Sequence, residues 1–469
     1  MNNDTPKKNQ SLSFSSIGHK ILESVVHILP EVNPPRQPLP LKKKLMWSGL
    51  ILAIYLVLGE ITVYGVTQNV QDYFSFFQAV LASRTGTLIT LGIGPVVTAG
   101  IFMQLFQGAE IFNFDLSSHQ GRAQFQTLQK FLAFFLCFAE AAIYIGAGAF
   151  GNYTIGRDLF LILQVGLGAS LIVLMDEVVT KWGFGSGISL FIAGGVSRDI
   201  LWKLFSVSSS PQYGNQMIGA ITSFIKSTFE GNPVWFRTGL PDMVQVFFTI
   251  LVFLVVVYFE TLWLEVPLSA GRFRGTRGGY PVKFIYTSVI PVIFTMATFG
   301  TFGLCARILS TRFGLHFLGV FNSNGTAVGG IMYYLTSPQD LIDVFIDPVR
   351  ALIYLILVVV FCALFALLWT DIAGMNSKAM AQRIHQSGTQ IAGFQRDIRV
   401  IESVLNNYIP QATILGGITI GLLATVANFT NALGTGTGIL LAVSILYRMY
   451  LDLLKDPDIP LNIRKALLG

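Results

Sequence analysis

Between Thr85 and Ala109 the chain carries no charge, a run long enough to cross a bilayer, for which about 20 apolar residues suffice. Gly86, Gly92, Gly94 and Pro95 nevertheless crowd its first half. Glycine costs about 1 kcal/mol inside a helix and proline about 3. A backbone opened there cannot face lipid, because hydrocarbon offers no partner to the freed N–H and C=O groups. The break must be buried in protein or line a water-filled cavity, which points to a channel or a carrier.

The remainder of the chain fits that setting. Only 12% of its 469 residues are charged and 52% are hydrophobic, against about 25% charged in an average soluble domain. We expect an all-α polytopic membrane protein with ten transmembrane helices, near 45–65, 85–108, 128–150, 158–176, 187–206, 243–262, 284–305, 347–369, 405–428 and 436–454. The charge-free run 403–447 holds two of them, since it is about twice the length of a span and NFTNALGTGTG in its middle reads as a turn. Ahead of the first span, apolar residues from Ile17 to Leu29 recur at helical spacing and predict a short interfacial helix. A proline-rich linker then runs to Lys42-Lys43-Lys44.

With the N-terminus in the cytoplasm, most Lys and Arg fall on the cytoplasmic side. The exceptions among the 31 are Arg84, Arg157, Arg198, Lys203, Lys226, Arg237, Arg307, Arg312 and Arg350. That asymmetry places both termini in the cytoplasm. The net charge of +6 is then topological and implies no nucleic acid. Two cytoplasmic segments are unusually basic or polar: GRFRGTRGGYPVK, from Gly271 to Lys283, and residues 371–404, with Lys378, Arg383, Arg396 and Arg399. Charge alone leaves two readings open, loops that only orient the chain or a docking surface for a polyanion such as ribosomal RNA.

Catalytic apparatus is not visible. The five histidines lie outside the expected spans, and HExxH, GxSxG and GxxxxGK[ST] do not occur. The GxGxxG at Gly146–Gly151 ends an expected membrane helix instead of joining a strand to a helix. Cys137, Cys305 and Cys362 have no metal spacing and are expected as apolar packing residues. No cofactor, no metal and no enzymatic activity are therefore expected. Glu140 is the one acid well inside an expected span, and intramembrane ionisable groups are functional candidates. Without a midplane partner it is expected to make a polar contact between helices. Gln71–Arg84 is too short to cross, and Phe74, Phe77, Val80 and Leu81 fall on one apolar face. It is either an interfacial hairpin or a re-entrant helix that stops up a cavity.

Four pieces, ASRTGTLITLGIGPVVTAGIFMQL, GFGSGISLFIAGG, RGTRGGYPVKFIYTSVIPVI and ANFTNALGTGTGILLAVSILYRMY, resemble the SecY protein-conducting channels, the alpha subunit of the Sec translocon. The likeness runs from about Leu22 to Tyr450 and is nearest the archaeal and eukaryotic branch, on its archaeal side. It implies two pseudo-symmetric inverted halves of five spans around an hourglass pore, with a re-entrant plug helix. The implied division is 1–41, a cytoplasmic N-terminal segment with the interfacial helix; 42–206, the first half with spans one to five and the plug 71–84; 207–242, an external loop and hinge connection; and 243–469, the second half with spans six to ten, cytoplasmic loops 263–283 and 371–404, and a C-terminal tail.

The resemblance further implies a pore ring of Ile93, Val97, Ile188, Ile192, Ile293 and Leu441, and a plug with Phe74, Phe77, Val80, Leu81 and Arg84. It implies a lateral gate at Thr98, Glu140 and Val289, where close relatives commonly have Asn at the last position, and ribosome docking through Arg272, Arg274, Arg277, Lys378, Arg396 and Arg399. Implied partners are a single-span SecE-like (gamma) subunit, a small beta subunit, the ribosome, nascent polypeptides with their signal sequences, and membrane lipid, at the cell membrane. The competing class is a secondary carrier for a small solute. Carriers place polar groups at a midplane break, whereas Ile93, Gly94, Pro95 and Val96 stand here.

Overall fold

The computed structural model describes residues 30–66, 81–108, 111, 114, 119–146, 148, 150, 155–210, 216–237, 239–267, 279–322, 327–338, 341–386 and 398–456. Its long helices are α1 (Leu41–Leu58), α2 (Gly94–Gly108), α3 (His119–Gly146), α4 (Ile155–Trp182) and α5 (Gly187–Phe205). A short α6 (Ala220–Phe229) precedes α7 (Met243–Thr261) and α8 (Ile290–Phe313). Small α9 (Ile331–Leu335) and α10 (Leu341–Ile346) lead to α11 (Pro348–Ile372). A hairpin of α12 (Ser377–Gln386) and α13 (Ile398–Asn406) precedes α14 (Ile409–Phe429) and α15 (Gly436–Lys455). Each expected span overlaps one of these helices. Seven of the described helices are long and apolar enough to cross a membrane. α1, α2 and α5 are not among those seven: α1 opens with three lysines, α2 is shortened by the glycine-proline break, and α5 carries Arg198, Asp199 and Lys203.

Helix ends follow local chemistry. Asp242 caps α7 by accepting from Gln245 N, and Asp347 caps α11 by accepting from Arg350 N. Pro348 and Pro291 sit in the first turns of α11 and α8, where a missing N–H costs nothing. Asp176 of α4 reaches across to accept from Ile188 N at 2.8 Å, so a carboxyl from one helix meets the positive end of the next. Between α14 and α15, Asn428 Oδ1 accepts from both the N–H and the hydroxyl of Thr437, which makes the expected turn a buried, hydrogen-bonded corner.

Strands are few. Trp263–Pro267 (β3) pairs antiparallel with Gly279–Lys283 (β4) beyond the end of α7, and two-residue β1 (Ser209–Ser210) pairs with β2 (Gln216–Met217) after α5. One apolar core contains residues of α1, α2, α4, α5, α7, α8, α11, α14 and α15. A second fills the space among α2, α3 and α4. The third lies beneath the α12–α13 hairpin.

Three expectations change. Arg84 is not in a helix: helical structure ends at Leu81, because Ala82 turns to φ 47° and Arg84 N donates to Ile89 O at 3.2 Å. Segment 371–404 is partly helical, through α12 and α13. Cys305 is exposed, on the outward face of α8, while Cys137 and Cys362 are buried. The expected helix 17–29 and residues 71–80 lie outside the described residues.

Candidate functional site

Gly92 sets the geometry of the break. It adopts φ +54°, and a Cβ there would stand 2.1 Å from Leu81 O, so only glycine lets the two backbones meet. The next amide, Ile93 N, donates to that carbonyl at 2.8 Å. Residues 84–90 are further strapped to the end of α1: Val63 N donates to Gly86 O at 2.9 Å and Leu88 N to Ile61 O at 3.0 Å. From the other side, Leu88 O packs so closely on Gly168 of α4 that a Cβ there would lie 2.0 Å away.

Around this stretch, aliphatic side chains arrive from four helices. Ile93 precedes α2 and Val97 lies in its first turn; Ile188 and Ile192 are one turn apart on α5; Ile293 is on α8 and Leu441 on α15. Five of these are buried in the same apolar core, with Ile93, Ile192 and Leu441 fully enclosed, and Ile188 packs against it half-buried. Leu81 packs against this core too. Phe74, Phe77 and Val80 lie outside the described residues.

Polar contacts hold the Leu81–Arg84 turn in place. The Tyr55 hydroxyl donates to Ala82 O at 2.6 Å, and its ring stacks on Phe191 with centroids 4.8 Å apart. Arg84 Nη1 donates to Gly59 O at 2.9 Å and pairs with Glu60 at 2.6 Å. Glu60 also pairs with Arg198 of α5. These groups line a cavity of about 340 Å³ with Asp199 and Trp202. Nothing in the sequence flagged Tyr55; its one signal is the single hydroxyl in the otherwise apolar stretch from Gly49 to Leu58.

Thr98, Glu140 and Val289 are only partly brought together. Thr98 lies beside Glu140, and Glu140 Oε2 lies 3.3 Å from where a Cβ on Gly94 would stand. Both line a cavity of about 50 Å³ with Leu81, Tyr144, Ala297 and Thr301, between α2, α3 and α8. Glu140 Oε1 is buried and has no partner among the described residues. Val289, at the N-cap of α8, is buried in the main core and does not line that cavity.

Beyond the end of α7, the β3–β4 ribbon flanks the basic loop in sequence. Lys283 Nζ lies 5.6 Å from the Trp263 ring and 5.5 Å from that of Tyr447 on α15. Arg272, Arg274, Arg277 and Arg396 fall outside the described residues. Lys378 on α12 and Arg399 on α13 are exposed. Their hairpin packs through Ala381, Ile384, Ile401 and Leu405 on Tyr286, whose hydroxyl donates to Met375 O at 2.7 Å. A node the sequence did not reveal joins α3, α4 and the N-terminal linker. Glu177 takes Lys130 at 2.7 Å and Lys181 at 2.8 Å, and these lysines donate to Pro30 O and Val32 O, each at 2.6 Å. Among the described residues no cluster of His, Cys, Asp and Glu could hold a metal.

Residues 87–450 match the protein family described as SecY, and residues 54–86 match the plug domain of Sec61p. The chain is 45% identical over 445 residues to the protein translocase subunit SecY of Pyrococcus horikoshii, covering 91% of this chain and 94% of that one. Among solved structures it resembles a protein conducting channel, with a TM-score of 0.81 at 42% identity over 93% of this chain and 96% of the other. It also resembles Sec61 in the canine ribosome-channel complex from the endoplasmic reticulum, with a TM-score of 0.78 at 42% identity and the same coverage.

Proposed function

Because the chain belongs to the SecY family, we infer that it is the pore-forming subunit of a protein translocase, a passive channel that moves unfolded polypeptide across the membrane and releases apolar segments sideways into lipid. The observation that carries this reading is the convergence of Ile93, Val97, Ile188, Ile192, Ile293 and Leu441 from four helices on one core, with Leu81 packed against it. A constriction of branched apolar side chains excludes ions by dewetting. It yields to a polypeptide because it binds no side chain strongly. We assign these six residues to the pore ring and the segment ending at Arg84 to the plug.

In the same reading α2 and α8 part to form the lateral exit, with Thr98 and Glu140 as its polar edge and Val289 as an apolar one. Spans one to five and six to ten form the two inverted halves, and both termini face the cytoplasm at the cell membrane. The ribbon loop and the α12–α13 hairpin dock the ribosome through Arg272, Arg274, Arg277, Lys378, Arg396 and Arg399. A neighbouring structure of a ribosome-channel complex supports that partner. A single-span SecE-like subunit suits an apolar cavity of about 750 Å³ lined by Leu52, Leu190, Leu201 and Leu446, since α1, α5 and α15 bring both halves to it. A small beta subunit completes the complex.

Site-specific crosslinking tests the central claim. A photoreactive residue at Ile188 is expected to capture a ribosome-stalled nascent chain, which a solute carrier would not do. Absence of a product from positions 188, 192 and 441 alike, in a complex that still holds the ribosome, removes the pore assignment.

A further inference from the structure

We propose that α6 and the segment 234–236 form an anchor in the outer lipid leaflet, at the membrane face where α5 ends and α7 begins. The inference rests on the membrane orientation proposed above. At ten residues α6 is about 15 Å long, half the hydrocarbon thickness, so it cannot cross. Its two sides differ in kind. Ile221, Ile225 and Phe229 follow at intervals of four along one edge, and Phe229 is 89% exposed. On other sides, Thr222 Oγ1 donates to Ser206 O at 2.8 Å, and Ser227 Oγ accepts from Val234 N at 3.2 Å. Polar contacts thus hold the helix to the protein, while its apolar edge is turned outward.

The bond from Val234 lays the next residues alongside the helix. Trp235 packs edge-on against Phe224 at 4.9 Å yet remains 60% exposed, and Phe236 is 59% exposed. Arg237 then turns inward: its Nη2 donates to Met217 O at 2.6 Å, and its amide donates to Asp242 Oδ2 at 3.3 Å, the carboxyl that also caps α7. The exposed aromatic segment is therefore fixed relative to the start of α7. α6 itself packs against α7, which exposes Val244, Phe247, Ile250 and Leu251 along a helix only 17% buried inside the protein.

That continuity decides the occupant. A stripe extending along the whole of α7 is covered by acyl chains, and α6 with Trp235 lies at its end, at headgroup depth. A tryptophan and a lysine, Lys226, beside an aliphatic edge are the composition of a membrane-interface segment. The chemistry fits a phospholipid boundary better than a second protein, which would have to leave the adjoining α7 stripe to lipid. The anchor joins the two sets of five helices, away from the contact of α2 with α8.

The test uses the full chain in its complex, reconstituted in phosphatidylcholine vesicles, with exposed Cys305 replaced (Cys305→Ala). A nitroxide attached through Phe229→Cys is compared with one at exposed Lys378→Cys. The ratio of collisions with oxygen to collisions with a water-soluble nickel chelate is expected to be roughly tenfold higher at 229. Equal ratios place α6 in water and overturn the anchor. Suppression of both collisions at 229 means a protein covers it, which overturns the anchor as well. If Phe229→Cys does not fold, the emission removed by Trp235→Phe gives the readout, and it must be quenched by phospholipid brominated near the headgroup. Crosslinking from Ile188 in the same complex reports on the pore, so loss of the anchor and loss of the channel reading are distinguishable.

Discussion

Ile93 donates its backbone N–H to Leu81 O across 2.8 Å, so a residue of the proposed ring and the last helical residue of the proposed plug share a main-chain hydrogen bond. Gly92 permits it. Gly92→Ala forces a Cβ into a space where Leu81 O lies 2.1 Å away, and a side chain in the left-handed region alone costs about 1–2 kcal/mol. We expect reconstituted vesicles carrying Gly92→Ala to leak ions where the parent protein does not. Conductance equal to the parent's, with the complex intact, would separate the Leu81 contact from the seal.

The proposed aliphatic ring predicts a different kind of leak. Replacing Ile93, Ile188 and Ile293 together with Gly removes apolar surface from the core that all three enter or pack against, so water is expected to enter the proposed constriction without displacing Leu81 from its carbonyl contact. Ion flux should rise while a disulfide engineered between the plug segment and α1 still forms at the parental rate. Unchanged flux would remove these three residues from the ring.

Tyr55 offers a milder perturbation. Tyr55→Phe keeps the stack on Phe191 but leaves Ala82 O buried without its donor, which costs about 1–3 kcal/mol. The expected result is a lower thermal midpoint in detergent and a modest rise in resting conductance. A midpoint and conductance both matching the parent would show that the hydroxyl bond contributes nothing to closure.

These contacts also mark where sequence reading stops. The spans were legible because apolar runs of bilayer length have few alternatives, and the broken stretch because Gly92, Gly94 and Pro95 violate helix rules in one place. Glu140 stood out as an acid among apolar residues. Tyr55 and Glu177 did not, since a tyrosine in a helix and an acid near a helix end are ordinary until the fold sets Ala82 O and Lys130 beside them. The end of the proposed plug helix was missed because the turn at Ala82 depends on a contact with Tyr55 of α1, 27 residues away in sequence and outside any local pattern.

Glu177 organises the linker ahead of α1. Its carboxylate holds Lys130 and Lys181, and those lysines hold Pro30 O and Val32 O. Hydrogen bonds involving charged groups contribute about 1.5–3 kcal/mol each when removed. Glu177→Ala is therefore expected to free the linker and speed tryptic cleavage at exposed Arg36 several-fold, with little change in α3 or α4. A cleavage rate equal to the parent's would mean the linker is held elsewhere.

A pH dependence follows from the loop ahead of α11. The Tyr333 hydroxyl donates to Asp347 Oδ2 at 2.8 Å and the Arg350 amide to Oδ1 at 3.1 Å, and these bonds hold the Asp347 carboxyl below the usual carboxylate range. A carboxyl lowered in the folded state adds stability at pH above its unfolded value, near 3.9, and that stability is lost as pH falls through the folded value. The same bond raises the Tyr333 hydroxyl. Between pH 6 and pH 3 the parent should therefore lose more of its thermal midpoint than Tyr333→Phe, whose Asp347 lacks the strongest of these donors. Because Asp347 is solvent-accessible, the difference should be small and should shrink in high salt. Parallel midpoint curves for the two proteins, at low salt, would mean that Asp347 titrates alike with and without the tyrosine and that the bond does not set the acid limb.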